Sequence, residues 1–280
     1  MLEKFLNKTE RVHNDLGATA AAYYIVASVK DFKSAMRQSG EVCQVSRTAE
    51  KDAVMTSLCQ TVEGFTCDCE VQDSIPKVSV KFERLLHILC KTYTPAFCGI
   101  IFVEQRATVL TLYWLLSRHP TTKERFKCGT FVGMSNHELK RMKLGDLLDP
   151  RLQPVTLNDF RKGKLNLIIA TNALEEGIDI SACNVVICFD EPRNLKSFIQ
   201  RRGRARTINS KYVVLSADGK SRAKAEEWRK LEEEMITACQ DQNRGVDPNE
   251  LDVSSIQYQY DPFLIPSTKY DHLVTDRPPS

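Results

Sequence analysis

The chain has 280 residues, of which 42% are hydrophobic and 27% charged, and 39 Lys and Arg face 36 Asp and Glu for a formal charge of +3. That length allows a sizeable core in one or two domains, and that balance excludes a disordered polyelectrolyte or a chain with a large overall basic field. Any surface for nucleic acid must be local, and the cations between 193 and 206 are the candidate.

Residues 1–10 carry charges throughout, so they form no secretory signal core, and no apolar run is long enough to span a membrane. With ten cysteines, the chain suits a reducing cytosol or nucleus. Residues 1–38 read as two helices. Leu2, Phe5, Leu6, Val12 and Leu16 recur at helical spacing, Gly17 breaks the run, and an Ala-rich stretch through Tyr23, Tyr24 and Ile25 follows. A third helix is expected over 49–60. Cys67 and Cys69 form a C-x-C pair, which is not the usual zinc spacing. Cys43 and Cys59 have no paired histidines nearby, so separate thiols are expected and no metal site.

A polar connection over 66–77 leads to a helix over 78–93 with Phe82, Leu85, Leu86 and Leu89 along one face. Short apolar runs at 97–103, 126–132, 167–170, 185–189 and 211–215 then read as strands. A helix over 107–117 follows the first run, and a mixed-charge insertion over 134–155 follows the second. A short helix over 157–162 packs Phe160 and stops at Gly163. This alternation is the grammar of an α/β fold with a parallel sheet, in which ligands sit beyond the carboxyl ends of the strands. A charged helix over 223–238 carries Trp228, Leu231, Met235 and Ile236, and the Pro-rich stretch after 247 reads as an irregular tail.

The chemistry gathers after the strands. Arg106 follows the first, where it can face phosphate or serve the helix start; Glu104 is expected to cap and solvate that start. Thr130 and Gly133 sit at the end of the second. Thr171 and Asn172 follow the third and can donate to phosphate oxygens, and a helix after them is expected to add free backbone N–H groups. Gly177 lets the backbone come close to a ligand, and Asp179 can accept from sugar hydroxyls. Glu175 and Glu176 are expected to face solvent or to be packed by local salt bridges. QRRGRAR at 200–206 crowds guanidiniums whose planar forks suit phosphate and whose mutual repulsion an arriving anion relieves. A plain basic patch would need neither Gly203 nor the strand-loop-helix frame before it. Arg202 suits solvation or packing better than its neighbours do. Asp190 and Glu191 mimic a magnesium-binding acidic pair but lie between the two motifs, so they are not read as one. The sequence contains no G-x-x-x-x-G-K-[ST].

ATNALEEGIDI at 170–180 resembles motif V of superfamily 2 helicases, QRRGRAR resembles motif VI, and GIIFVEQRATVL at 99–110 resembles motif IV. Together they resemble the second RecA-like domain of a Dicer-type helicase, in particular that of the fungal Dicer-like proteins. LGATAAAYYI at 16–25 resembles part of the helical insertion that precedes that domain. The resemblance implies a RecA-like α/β fold, with a helical block over 1–75, the helicase C-terminal domain over 76–218, a helical arm over 219–245 and a tail over 246–280. It implies an RNA track of Arg106, Thr130, Gly133, Thr171 and Asn172. It implies that Gly177, Asp179, Arg204 and Arg206 face the nucleotide, with Arg204 and Arg206 as arginine fingers and Gln200 placing the water or the γ-phosphate. The implied cofactor is ATP with magnesium, shared with a first RecA-like domain acting in cis or in trans, and the implied partner is double-stranded RNA. The role would be ATP-dependent handling of that RNA in silencing and antiviral defence, with little turnover by these residues alone. The alternative is a non-catalytic RNA-binding or regulatory module. Neither reading includes a ribonuclease domain in these residues.

Overall fold

The computed structural model describes residues 2–38, 57, 60–61, 76–133, 152–175, 178, 180, 182–207, 209–215 and 221–240. Two compact units divide the chain, Met1–Glu232 and Glu233–Ser280. Of the second, residues 233–240 are described, and they are helical.

Five strands form one sheet in the first unit: β1 (Gly99–Phe102), β2 (Cys128–Phe131), β3 (Leu167–Ala170), β4 (Val185–Cys188) and β5 (Lys211–Val214). Their order is β2-β3-β1-β4-β5, and every neighbouring pair is parallel. Phe102 lies level with Ala170 on one side and Cys188 on the other, so all carboxyl ends emerge at one edge. Every residue of β1, β3 and β4 is buried, as continuous apolar strands covered on both faces should be.

Successive side chains go to opposite faces. Ile101, Leu167, Ile169, Val185 and Ile187 join one core with Val12, Leu16, Tyr24, Phe82, Leu85 and Leu112. Those partners come from α1 (Leu2–Leu16), α2 (Ala18–Gln38), α3 (Val80–Thr92) and α4 (Arg106–Arg118). The two amino-terminal helices thus share their core with the sheet. Ile100, Phe102, Ile168, Ala170, Val186 and Cys188 face the other way, against Phe160 of α5 (Gln153–Arg161) and against Leu174 and Ile180. Two more helices follow, α6 (Leu195–Arg202) and α7 (Ser221–Gln240). Phe198 of α6 meets Tyr212 of β5 edge-on at 5.4 Å and Trp228 of α7 at 5.2 Å. This helix-flanked parallel sheet is the RecA-like architecture the resemblance implies.

Gly17 separates α1 from α2 at φ 102°, a region L side chains rarely adopt. A Cβ there would come within 2.7 Å of the Lys77 carbonyl oxygen and of the Val78 Cα. The chain at 77–79 therefore crosses directly over the break. Ser79 secures the crossing: its hydroxyl donates to the Asp15 carbonyl at 2.6 Å and accepts from the Phe82 N–H at 3.1 Å, capping α3.

Two expectations need correction. α5 starts at Gln153, four residues earlier than the sequence pattern suggests, because Pro154 is preorganised for a first helical turn. After β3, the described residues form only a single 3-10 turn, Asn172–Leu174, in place of the expected α-helix. Leu174 is turned into the core, and Glu175 is tied across to α6, so the chain is drawn over the sheet edge. The helix expected over 49–60 lies outside the described residues except for positions 57 and 60, which are helical. Residues 134–151, the tail, and Cys43, Cys59, Cys67 and Cys69 also lie outside them.

Candidate functional site

At the carboxyl edge of β1, β2 and β3, three candidate RNA-facing residues are joined. Arg106 opens α4, and its guanidinium donates to the Gly133 carbonyl. The Gly133 N–H donates to the Thr171 hydroxyl at 3.3 Å. Thr171, just beyond β3, donates its own N–H to the Phe131 carbonyl at 3.0 Å and is 5% exposed. A Cβ on Gly133 would press on the Ala173 Cβ at 3.1 Å, so the chains are close here. Asn172 is exposed beside this cluster. Thr130 stays within β2, half-buried, one residue short of the strand end.

Beyond β4, the guanidiniums of QRRGRAR separate into different roles. Asn194 caps α6 by accepting the Ser197 N–H at 2.9 Å, which sets the helix direction. Arg201 on that helix is 4% exposed. Its Nε donates to Glu175 Oε1 at 2.7 Å, another nitrogen donates to the Asp190 carbonyl at 3.1 Å, and its guanidinium lies 5.1 Å from the Phe102 ring centre. Burial works against its charge, but Cys188 and the Glu175 carboxylate more than offset this and raise its pKa above the ordinary value. Arg204 is also buried and donates to the Ile178 and Glu175 carbonyls, both at 2.7 Å. Arg202 pairs with Glu232 at 2.5 Å. Arg206 is exposed, and its Nε donates back to the Gly203 carbonyl at 3.0 Å. Gln200 is half-buried on α6. Gly177 and Asp179 lie outside the described residues.

Asp190 is buried and fully engaged. Its Oδ1 receives Lys81 at 3.1 Å and Arg11 at 3.4 Å, and its Oδ2 accepts the Glu104 N–H at 2.7 Å. A carboxylate already answered by two cations and an N–H is a poor magnesium ligand. Glu104 does not cap α4, whose N-cap is Gln105; it pairs with Arg11 at 2.5 Å and with Arg193. Burial pushes the Glu104 carboxyl up, but hydrogen bonds and charge from Arg11 and Arg193 outweigh it and leave the pKa below the ordinary value.

The structure thus brings Arg106, Gly133 and Thr171 together, and it draws Arg204 back against the motif V backbone. Sequence reasoning left Arg201 without a role of its own and Glu175 with two open fates. A guanidinium among three others gives no sign of which one is buried. The opposite charge of Glu175, twenty-six residues away, was the available signal. Among the described residues, no group of three or more His, Cys, Asp or Glu could hold a metal ion. No helix of the described residues is long and apolar enough to cross a membrane.

Residues 80–209 match the family of the helicase conserved C-terminal domain. With the parallel sheet and the edge just described, these residues form a helicase C-terminal domain built on a parallel, helix-flanked sheet. Over most of its length the chain is similar to fungal Dicer-like proteins. It is 44% identical over 244 residues to Dicer-like protein 2 of Neosartorya fischeri, covering 87% of this chain and 17% of that protein. It is likewise 44% identical over 246 residues to Dicer-like protein 2 of Aspergillus fumigatus, covering 87% of this chain and 17% of that protein. The chain therefore spans less than a fifth of the length of these relatives. Among solved structures, the C-terminal domain of the DEAD-box protein Dbp5 is similar over 54% of this chain and 77% of that one, with a TM-score of 0.41 and 23% identity.

Proposed function

We propose that this chain is the helicase C-terminal half of a Dicer-like protein, lending guanidiniums and part of an RNA track to ATP-dependent handling of double-stranded RNA in RNA silencing. The observation that carries this reading is the shared sheet edge. Arg106, Gly133 and Thr171 are linked there by hydrogen bonds, and the motif V turn that begins beside them ends at the residue that binds Arg201 and Arg204. Arg106 and Asn172 meet the RNA backbone, and Thr171 with Gly133 and the neighbouring Thr130 shapes the surface they stand on.

A triphosphate fits one side of this arrangement. Arg206 is exposed and is held to the Gly203 carbonyl through its Nε, so the rest of its fork can meet phosphate oxygens. Magnesium does not fit at Asp190, which cations already occupy. ATP would supply the phosphoryl group for hydrolysis, held mainly by a first RecA-like domain in cis or in trans. From this side Arg206 and Arg204 would neutralise charge at the γ-phosphate, Gln200 would place the water or the γ-phosphate, and Gly177 and Asp179 would face the nucleotide. Arg204 must first give up its two carbonyl partners. That same observation favours a second reading, a module that binds RNA without turnover.

The test follows binding of labelled double-stranded RNA by this chain, then ATP hydrolysis when a first RecA-like domain from a fungal relative is added. Binding weakened several-fold by Asn172→Ala, together with RNA-stimulated turnover that falls at least about a thousandfold in Arg206→Ala, is the expected result. Turnover indifferent to Arg206 would leave the binding module standing. Failure to bind double-stranded RNA would sink both readings.

A further inference from the structure

Glu175 holds motif VI from two sides. Its Oε1 accepts from Arg201 Nε and from the Ser197 hydroxyl, each at 2.7 Å. Its backbone carbonyl accepts from Arg204 at 2.7 Å. Three side chains of α6 and the turn after it therefore converge on one residue of motif V. The pair is nearly dry, with Arg201 4% and Glu175 10% exposed, so salt screens it little. Arg201 cannot serve as a phosphate ligand here, because Glu175, the Asp190 carbonyl and the Phe102 ring enclose it.

Glu175 is also rigidly linked to the residues before it. Its N–H donates to the Asn172 carbonyl at 2.9 Å, and the Leu174 N–H donates to the Thr171 carbonyl at 3.2 Å. The 3-10 turn is thus a short strut with Thr171 and Asn172 at one end and Glu175 at the other. Leu174 anchors the strut in the core, so it can tilt more easily than it can stretch.

We propose that Glu175 and Arg201 are a positioning pair that transmits the state of the Thr171–Asn172 end of this turn to motif VI and sets where Arg204 points. The proposal rests on the RNA reading given above. RNA pulling on the exposed end tilts the strut, moves the Glu175 carbonyl, and changes how firmly Arg204 is held. Arg201 carries the same displacement into α6 through its ion pair.

Amide hydrogen exchange on the full chain, with and without a blunt double-stranded RNA, tests this. The unaltered chain should change its exchange on RNA binding both at 171–174 and at 200–206, by about tenfold in the second segment. Glu175→Gln and Arg201→Lys should keep the response at 171–174 and lose it at 200–206. Ser197→Ala, which removes one hydrogen bond but leaves the ion pair, should keep a reduced response even if the other variants fold poorly. A pair that only braces the fold would lower the melting temperature of the variants and leave the response at 200–206 intact; that result overturns the proposal. An unaltered chain that responds at 171–174 alone also overturns it, while the RNA reading survives. A chain with no response in either segment refutes the RNA reading itself, and the coupling falls with it.

Discussion

Asp190 is buried and Glu175 is largely so, both carboxylates lie near the same sheet edge, and they are met by cations from different parts of the molecule. Asp190 draws Arg11 from α1 and Lys81 from α3, whose side chains are 35% and 23% exposed. Glu175 draws Arg201, 4% exposed, from the motif next to its own in the sequence. The first cluster ties amino-terminal helices to the loop after β4 and stands partly in solvent. The second joins two ligand-facing segments and stands in the core. Similar chemistry therefore does two jobs: a screenable fastening between helices and sheet, and a stiff connection inside the site.

The sharpest way to break this contrast is Arg201→Ala. It strands the Glu175 carboxylate in the core, and urea denaturation should show a loss of about 3–5 kcal/mol. Asp190→Asn keeps a side-chain oxygen for the Glu104 N–H but removes the charge that Arg11 and Lys81 answer. The same measurement should show about 2 kcal/mol. Salt then separates the clusters directly. Double-mutant cycles at low and at roughly 0.5 M salt should show the Arg11–Asp190 coupling falling by about half and the Arg201–Glu175 coupling changing little. Equal salt dependence would mean that exposure does not distinguish them.

Acid should weaken the fastening around Arg11 through Glu104. Its folded pKa lies below the ordinary carboxylate value, so the unfolded chain takes up the proton more readily. The stabilisation is complete above the unfolded pKa of about 4.3 and is lost as pH falls through the lower folded value. Melting curves of the parent chain and of Glu104→Gln should therefore converge as pH drops through that window. The smallest effect is expected from Arg193→Ala, since that side chain is 67% exposed and its bond to Glu104 is well solvated. Its stability cost should stay under about 1 kcal/mol.

Much of the sheet was legible in the sequence because β1, β3 and β4 are fully buried and therefore read as unbroken apolar runs. Gly17 and Gly163 marked helix ends correctly, and both adopt positive φ. The turn after β3 was not legible as a 3-10 helix, since the tie that shapes it, Glu175 to α6, is a contact between distant residues. The crowding of four arginines drew attention to the right segment but could not rank them. Burial ranks them: Arg201 and Arg204 face inward, Arg202 meets Glu232, and Arg206 faces out. Asp190 could be set aside as a magnesium ligand from its position between the motifs, but its partners Arg11 and Lys81 lie far away in sequence and left no local sign.

The crossing at Gly17 also governs the order in which this molecule can be assembled. The Ser79–Asp15 hydrogen bond joins residues 64 positions apart, and closing a loop of that size costs entropy before any contact rewards it. On a growing chain, Phe5, Val12, Leu16 and Tyr24 are made long before Phe82, Leu85 and Leu89, their neighbours in the finished core. Until α3 is made, the apolar faces of α1 and α2 lack the partner that covers them in the finished core. The interval between α2 and α3 is a period of exposure in which a chaperone, or another copy of the chain, competes for the surface that the sheet later claims.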